Sequence, residues 1–151
     1  MADVKNVILY TDGACIGNPG PGGYGVVLLY GDRRKELAAG FRKTTNNRME
    51  ILAAIIGLQA LKERCSVILY SDSAYLVNAM EQHWALKWKA NGWKRGGPGG
   101  SAPVKNDDLW RKLDELSQKH RVRYNAVLGH SGHPENERCD QLAVTAYQKL
   151  L

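Results

Sequence analysis

Four acidic residues stand where carboxylates could do chemistry. Asp12 follows the apolar run Val7-Ile8-Leu9-Tyr10, and Glu50 opens an apolar helical segment. Asp72 follows a second short apolar run, and Asp140 lies inside the last helical pattern. Each has an ordinary structural explanation. Asp12-Gly13 is a turn-forming pair, Asn47-x-x-Glu50 has capping-box spacing, and Asp72 precedes a helix as an N-cap would. Taken singly, a structural role is the default, and Asp140 fits it worst. Ala143, Val144 and Tyr147 follow Asp140 at i+3, i+4 and i+7. An unpaired carboxylate on that apolar stripe is costly and calls for a partner or a metal.

Ligands of sheets with parallel strands gather at the strands' carboxyl ends, where Asp12 and Asp72 are expected. Carboxylates that converge without basic partners repel unless a cation joins them. Oxygen-only ligands favour a hard ion, Mg²⁺ or Mn²⁺. His130, His133 and Cys139 lack a zinc-finger spacing.

Residues 20–26, Gly-Pro-Gly-Gly-Tyr-Gly-Val, match G-x-G-x-x-G-x-V literally. A dinucleotide site needs a helix after these glycines, and here a strand pattern follows. A kinase loop is excluded by the missing V-A-I-K, H-R-D and D-F-G strings and by the short chain. The glycines therefore predict a tight turn, or a place where backbone approaches a ligand closely.

The elements that must position the acids come next. Runs at 4–11, 26–30 and 36–42 predict three antiparallel strands joined by short turns. Residues 48–62 predict a helix apolar almost all round, hence buried against the sheet. A strand at 67–70, a helix at 74–80, a helix capped by Asn106 or Asp107, a strand at 122–128 and a helix at 134–150 complete the chain. The β-α-β-α alternation implies two parallel strands, so the fold class is α/β: a five-stranded mixed sheet flanked by helices. Residues 83–103 stand apart. Trp84, Trp88 and Trp93 are interleaved with Lys87, Lys89, Lys94 and Arg95, followed by a Gly/Pro run at 96–100. Trp84 and Trp88 share one face of a short basic helix.

The chain has 151 residues, 44% of them hydrophobic, which suits one domain with one core. Its 21 basic and 15 acidic residues leave a net charge of +6, which favours a polyanionic partner. Cys15, Cys65 and Cys139 are odd in number and far apart, which argues for a reducing compartment and against disulfides. The first ten residues are too weakly apolar for a signal or a membrane span, so a cytoplasmic protein is expected.

Four blocks make the pattern specific: Tyr10-Thr11-Asp12-Gly13-Ala14, Thr44-Thr45-Asn46-Asn47-Arg48-Met49-Glu50, Tyr70-Ser71-Asp72-Ser73, and residues 129–140, GHSGHPENERCD. In order and content the chain resembles bacterial type 1 ribonuclease H from about Val4 to Tyr147. The resemblance implies a ribonuclease H-like fold and two Mg²⁺ ions with substrate bound, Mn²⁺ substituting. It implies hydrolysis of the RNA strand of RNA–DNA hybrids by a two-metal mechanism, leaving 5′-phosphate and 3′-hydroxyl ends. Asp12, Glu50, Asp72 and Asp140 match the family's metal-binding carboxylates, and His130 its mobile histidine. Cys15, Asn18, Asn46 and Asn47 match its minor-groove contacts, and Thr45 its DNA-phosphate contact. Trp84, Lys87, Trp88, Lys89, Trp93 and Lys94, with Lys105 and Asn106 beyond, match its basic protrusion against the DNA strand. A packed role for the tryptophans, with solvated lysines, is compatible with that.

Two departures bear on substrate affinity: Ala74 stands where the family often has a glutamine, and the Gly/Pro run lengthens the protrusion. A monomer is expected, and a single-strand DNA-binding protein stays open as a partner. The competing classes are a non-catalytic hybrid-binding module, a DNA nuclease of the wider superfamily, and a basic structural protein. The intact acids, the TTNNRME block and the inward Asp140 argue against them in turn.

Overall fold

The structure is a computed structural model that describes residues 4–95, 102–127 and 133–151. Its elements in order are β1 (Lys5–Cys15), β2 (Gly20–Tyr30), β3 (Arg33–Thr44), α1 (Asn46–Gln59), β4 (Cys65–Ser71) and α2 (Ala74–Glu81). Then come α3 (Trp84–Ala90), β5 (Lys94–Arg95), β6 (Ala102–Pro103), α4 (Asp107–Lys119), β7 (Arg121–Ala126) and α5 (Pro134–Gln148).

Five strands form one sheet in the order β3-β2-β1-β4-β7. The first three pair antiparallel, while β4 lies parallel to both β1 and β7. This is the expected mixed sheet. Strand periodicity divides its two faces. Val7, Leu9 and Thr11 of β1 are buried on one side with Val67 and Leu69 of β4. Helix α1 packs there, burying Ile51, Ala54, Ile55 and Leu58, as a helix apolar all round must. Each fully buried Leu, Ile or Val contributes about 1.5–3 kcal/mol through area removed from water. Trp110 of α4 is fully buried in the same core, its Nε1 donating to the Tyr75 hydroxyl at 3.3 Å.

Three of the boundary differences from the sequence reading bear on the site. β1 does not turn at Asp12-Gly13 but runs on to Cys15, because residues 12–15 pair with residues 22–25 of β2. Long-range hydrogen bonds override the local turn preference. For the same reason the glycine stretch is itself strand from Gly20 onward. Helix α1 ends at Gln59, before the charged run Lys62-Glu63-Arg64.

Helix α5 covers the other face over β1, β2 and β3. The approach is unusually close. A methyl group on Gly25 or Gly40 would overlap the carbonyl oxygens of Cys139 and Ala146, and one on Gly23 would lie 2.6 Å from that of Ala143. The sequence predicts a tight turn or a backbone close to a ligand, but these glycines lie in strands and admit another backbone instead. That backbone is the protein's own last helix.

The Trp/Lys segment folds as α3 with the small β5–β6 hairpin. Trp84 packs against Trp88 with tilted rings at 6.4 Å between centroids, and Trp88 against Trp110 at 5.6 Å. All three cysteines are free thiols. No helix among the described residues is long and apolar enough to cross a membrane.

Candidate active site

The parallel ladder of β1 and β4 ends with Thr11 opposite Ser71. Asp12 is the next residue of β1 and Asp72 the first residue beyond β4, so equal register delivers two carboxylates side by side where the parallel pairing ends. The third comes from α1. Gly13 has no side chain, and a methyl group there would lie 2.7 Å from the Glu50 nitrogen. The first turn of α1 can therefore press against β1, and Glu50 reaches in over Gly13.

Ligand-capable oxygens of Asp12, Glu50 and Asp72 all lie within 4.8 Å of one another. Asp12 is 3% exposed and Glu50 2%. The Gly13 amide donates to Glu50 Oε1 at 2.7 Å and to Asp12 Oδ1 at 2.9 Å, and the Ser71 hydroxyl donates to Glu50 Oε2 at 3.3 Å. Among the described residues no lysine or arginine forms an ion pair with these three acids.

The local explanations for these acids lose their footing. Thr45, not Asn47, is the N-cap of α1, its Oγ1 accepting from the Arg48 amide at 3.2 Å. Glu50 thus serves no capping box. Ser73, not Asp72, caps α2, accepting from the Leu76 amide at 3.1 Å.

Asp140 is half-buried on α5. Its neighbour Cys139 is fully buried, donates from Sγ to the Tyr10 carbonyl at 3.2 Å, and turns its own carbonyl onto Gly25, the cross-strand partner of Asp12. Asp140 therefore stands beside Asp12 and raises that carboxyl's pKa by its charge. It is not one of the three acids whose oxygens converge within 4.8 Å.

Burial, with the charges of Asp72 and Asp140 added, pushes the Asp12 carboxyl up to about 7, against a hydrogen bond with Glu50 that lowers it. Glu50 lies well above the usual carboxylate range because of burial first and the Asp12 charge second. A cluster that resists ionisation, made only of hard oxygen donors and lacking a basic partner, fits a divalent cation.

A second group gathers around the start of α1. Cys15 Sγ donates to the Thr44 carbonyl at 3.3 Å. Asn18 Oδ1 accepts from the Asn46 amide at 2.8 Å, tying the loop before β2 to the helix. Asn46 and Asn47 are exposed. Arg48 grips Asp108 through both Nη atoms at 3.0 and 2.7 Å and reaches Asn106 Oδ1 at 3.2 Å. Cys15, Asn18, Thr45, Asn46, Asn47 and Asn106 thus form one connected surface, with exposed Lys105 next to it.

On α3 and after it, Trp84, Trp88 and Trp93 are half-buried against the core while Lys87, Lys89 and Lys94 are exposed. The compatible packed role is realised. Lys89 Nζ pairs with Asp114 at 3.1 Å and so ties α3 to α4. Ala74 is the exposed first residue of α2. His130 and the Gly/Pro run at 96–100 lie outside the described residues.

Sequence reasoning missed Ser71, whose hydroxyl orients Glu50, and Arg48, which joins α1 to α4. Neither carries a local signal. It also missed what Gly23 and Gly25 do, although their i, i+2 spacing puts them on one strand face and could have shown it.

The RNase H family model matches residues 4–148. Ribonuclease H of the bacterium Desulforamulus reducens is 62% identical over 144 residues, covering 95% of this chain and 89% of that protein. LC9-RNase H1, a type 1 RNase H with the type 2 active-site motif, is 32% identical with a TM-score of 0.86, over 100% of this chain and 76% of that one. LC11-RNase H1, solved in complex with an RNA/DNA hybrid, shares the fold at 24% identity and a TM-score of 0.71, over 95% and 98% of the two chains.

Proposed function

The chain belongs to the ribonuclease H family and is a nuclease of the hydrolase class, and from that premise we propose that it cuts the RNA strand of RNA–DNA hybrids using divalent cations, Mg²⁺ with Mn²⁺ as a substitute. The observation that carries this reading is the convergence of Asp12, Glu50 and Asp72 without a basic partner. Asp12, Glu50 and Asp72 would hold the cations, with Asp140 completing the set from α5. Two such ions, when bound, supply an acidified water and charge neutralisation at the scissile phosphodiester.

The chain's own residues do the rest. The Gly13 amide and the Ser71 hydroxyl hold Glu50 in place. The surface from Cys15 and Asn18 to Asn46 and Asn47 meets the minor groove, where a 2′-hydroxyl distinguishes RNA. Thr45 faces a DNA-strand phosphate, and Lys87 and Lys94 of the protrusion, with Lys105 and Asn106 beyond it, lie along that strand. Lys89, paired with Asp114, holds α3 in its orientation. His130 carries a proton to or from the reacting phosphate, since an imidazole with an unperturbed pKa of about 6.5 exchanges protons near neutrality. Breaking the P–O3′ bond on water attack leaves a 3′-hydroxyl upstream and a 5′-phosphate downstream. The chain acts as one monomeric domain in the cytoplasm, with a single-strand DNA-binding protein as a candidate partner.

The test is cleavage of an end-labelled RNA–DNA hybrid in Mg²⁺ and in EDTA, beside duplex DNA and duplex RNA. The expected result is Mg²⁺-dependent cuts confined to the hybrid's RNA strand, with 5′-phosphate ends, lost in Asp72→Asn. Tight hybrid binding without cuts in either metal would make the protein a binding module, and cuts in duplex DNA would make it a DNA nuclease.

A further inference from the structure

Helix α5 rests on a floor without knobs. Its carbonyls at Cys139, Ala143 and Ala146 meet Gly25, Gly23 and Gly40, so helix backbone sits directly on strand backbone. Such a floor permits close approach, but it offers no side chains at those positions to interlock with the helix and stop it sliding or turning. Another contact must set the register.

β3 supplies one. Arg34 and Glu36 lie opposite Leu29 and Val27 of β2, in the alternating row that continues to Ala38 and Gly40. This is the α5 face of the sheet. Glu36 receives both arms of Arg138, at 2.9 Å from Nε and 2.9 Å from Nη2. Arg34 bonds the same Glu36 carboxylate at 3.0 Å and Glu135 at 2.5 Å. Four charged side chains thus join β3 to the first turns of α5, and Asp140 follows Arg138 by two residues.

We propose that Glu36, Arg138 and Arg34 are positioning residues that fix the register of α5 and thereby hold Asp140 beside Asp12. The proposal rests on the reading of Asp140 as part of the acidic centre. A two-pronged arginine–carboxylate contact fixes orientation as well as distance. Exposed ion pairs add little to stability, so the network acts on placement more than on folding. A shift of α5 moves one carboxylate relative to three that are held by the sheet and α1, which changes cation binding and turnover without touching the substrate surface.

The experiment compares Glu36→Ala, Arg138→Ala and their double variant with the wild type. It reads kcat and KM on the hybrid, and the rise in Tm that Mn²⁺ produces in the protein without nucleic acid. Each single variant is expected to lose roughly 3- to 10-fold in kcat with KM within about 2-fold, and the double variant to be no worse than the singles. The Mn²⁺-induced rise falls to roughly half or less, while Tm in EDTA shifts by only about 2–4 °C. Both kcat and the Mn²⁺-induced rise staying at wild-type values in the two single variants would overturn the proposal. If the wild type cuts no hybrid, the cleavage reading fails, and the Mn²⁺ arm still decides the clamp on its own.

Discussion

Asp12 pairs with glycine across the strand, is almost wholly buried, and has carboxylates on three sides. Its carboxyl is raised from 3.8 to about 7, so the folded cation-free protein holds a proton that the unfolded chain has released. Between those values the native state binds more protons than the unfolded state, and stability falls as pH rises. The full shift corresponds to about 4 kcal/mol at 1.36 kcal/mol per pH unit. In EDTA at pH 8, Asp12→Asn is therefore expected to be more stable than the wild type by about 1–3 kcal/mol, with the gain vanishing near pH 4. Mg²⁺ should raise the wild-type Tm and leave that of Asp12→Asn nearly unchanged. Thermal melts at pH 4 and 8, with EDTA or Mg²⁺, check both. A variant less stable at pH 8 would make Asp12 a structural partner.

Elements explain why one residue near the site with no chemistry of its own should matter as much as an acid. Gly25 is the point where β2 admits the carbonyl of Cys139. Gly25→Ala puts a methyl group into that backbone, and neither a strand paired on both sides nor a helix can step aside cheaply. Overpacking of this kind costs about 1–3 kcal/mol, and displaced α5 carries Asp140 with it. The expected outcome is a Tm lower by roughly 4–8 °C and a large loss of Mg²⁺-dependent cleavage, read by calorimetry and the hybrid assay. Gly31, at a surface turn with open space around it, is the control for the steric effect. Its positive φ of 59° makes Gly31→Asn the suitable substitution, and cleavage should survive it.

For the whole molecule the relevant quantity is where the surplus positive charge can meet a polyanion. The net charge is +6, but several cations are committed internally: Lys89 to Asp114, Arg48 to Asp108, and Arg34 and Arg138 to Glu36. Among the described residues Lys87 and Lys94 have no ion-pair partner and are exposed on the protrusion. Hybrid affinity should fall steeply with salt, and losing one phosphate contact lowers the log–log slope by roughly 0.7–0.9. Lys87→Ala and Lys94→Ala are each expected to raise KM several-fold, reduce the slope by about that amount, and leave kcat at saturation unchanged. Titrations from low to high salt check this. A slope unaffected by both substitutions would remove the protrusion from the substrate surface.

Much of this protein was legible in its residues before any coordinates. Hydrophobic period placed the strands and helices, because burial on one face leaves its mark on every second or every third and fourth residue. The parallel part of the sheet followed from the order of elements. The motifs singled out Asp12, Glu50, Asp72 and Asp140 together, and the fold converges the first three and leaves Asp140 beside Asp12. The close approaches were decided only by tertiary structure. Asp12 reads locally as a turn and Glu50 as a cap, and pairing of residues 12–15 with residues 22–25 together with the Thr45 cap overrides both. The glycines at 23, 25 and 40 announce a missing side chain but not what fills the space, because the occupant arrives from the far end of the chain. Ser71 on Glu50, Arg48 on Asp108, and Glu36 on Arg138 are meetings of residues 21, 60 and 102 positions apart, for which local sequence carries no periodic or compositional trace.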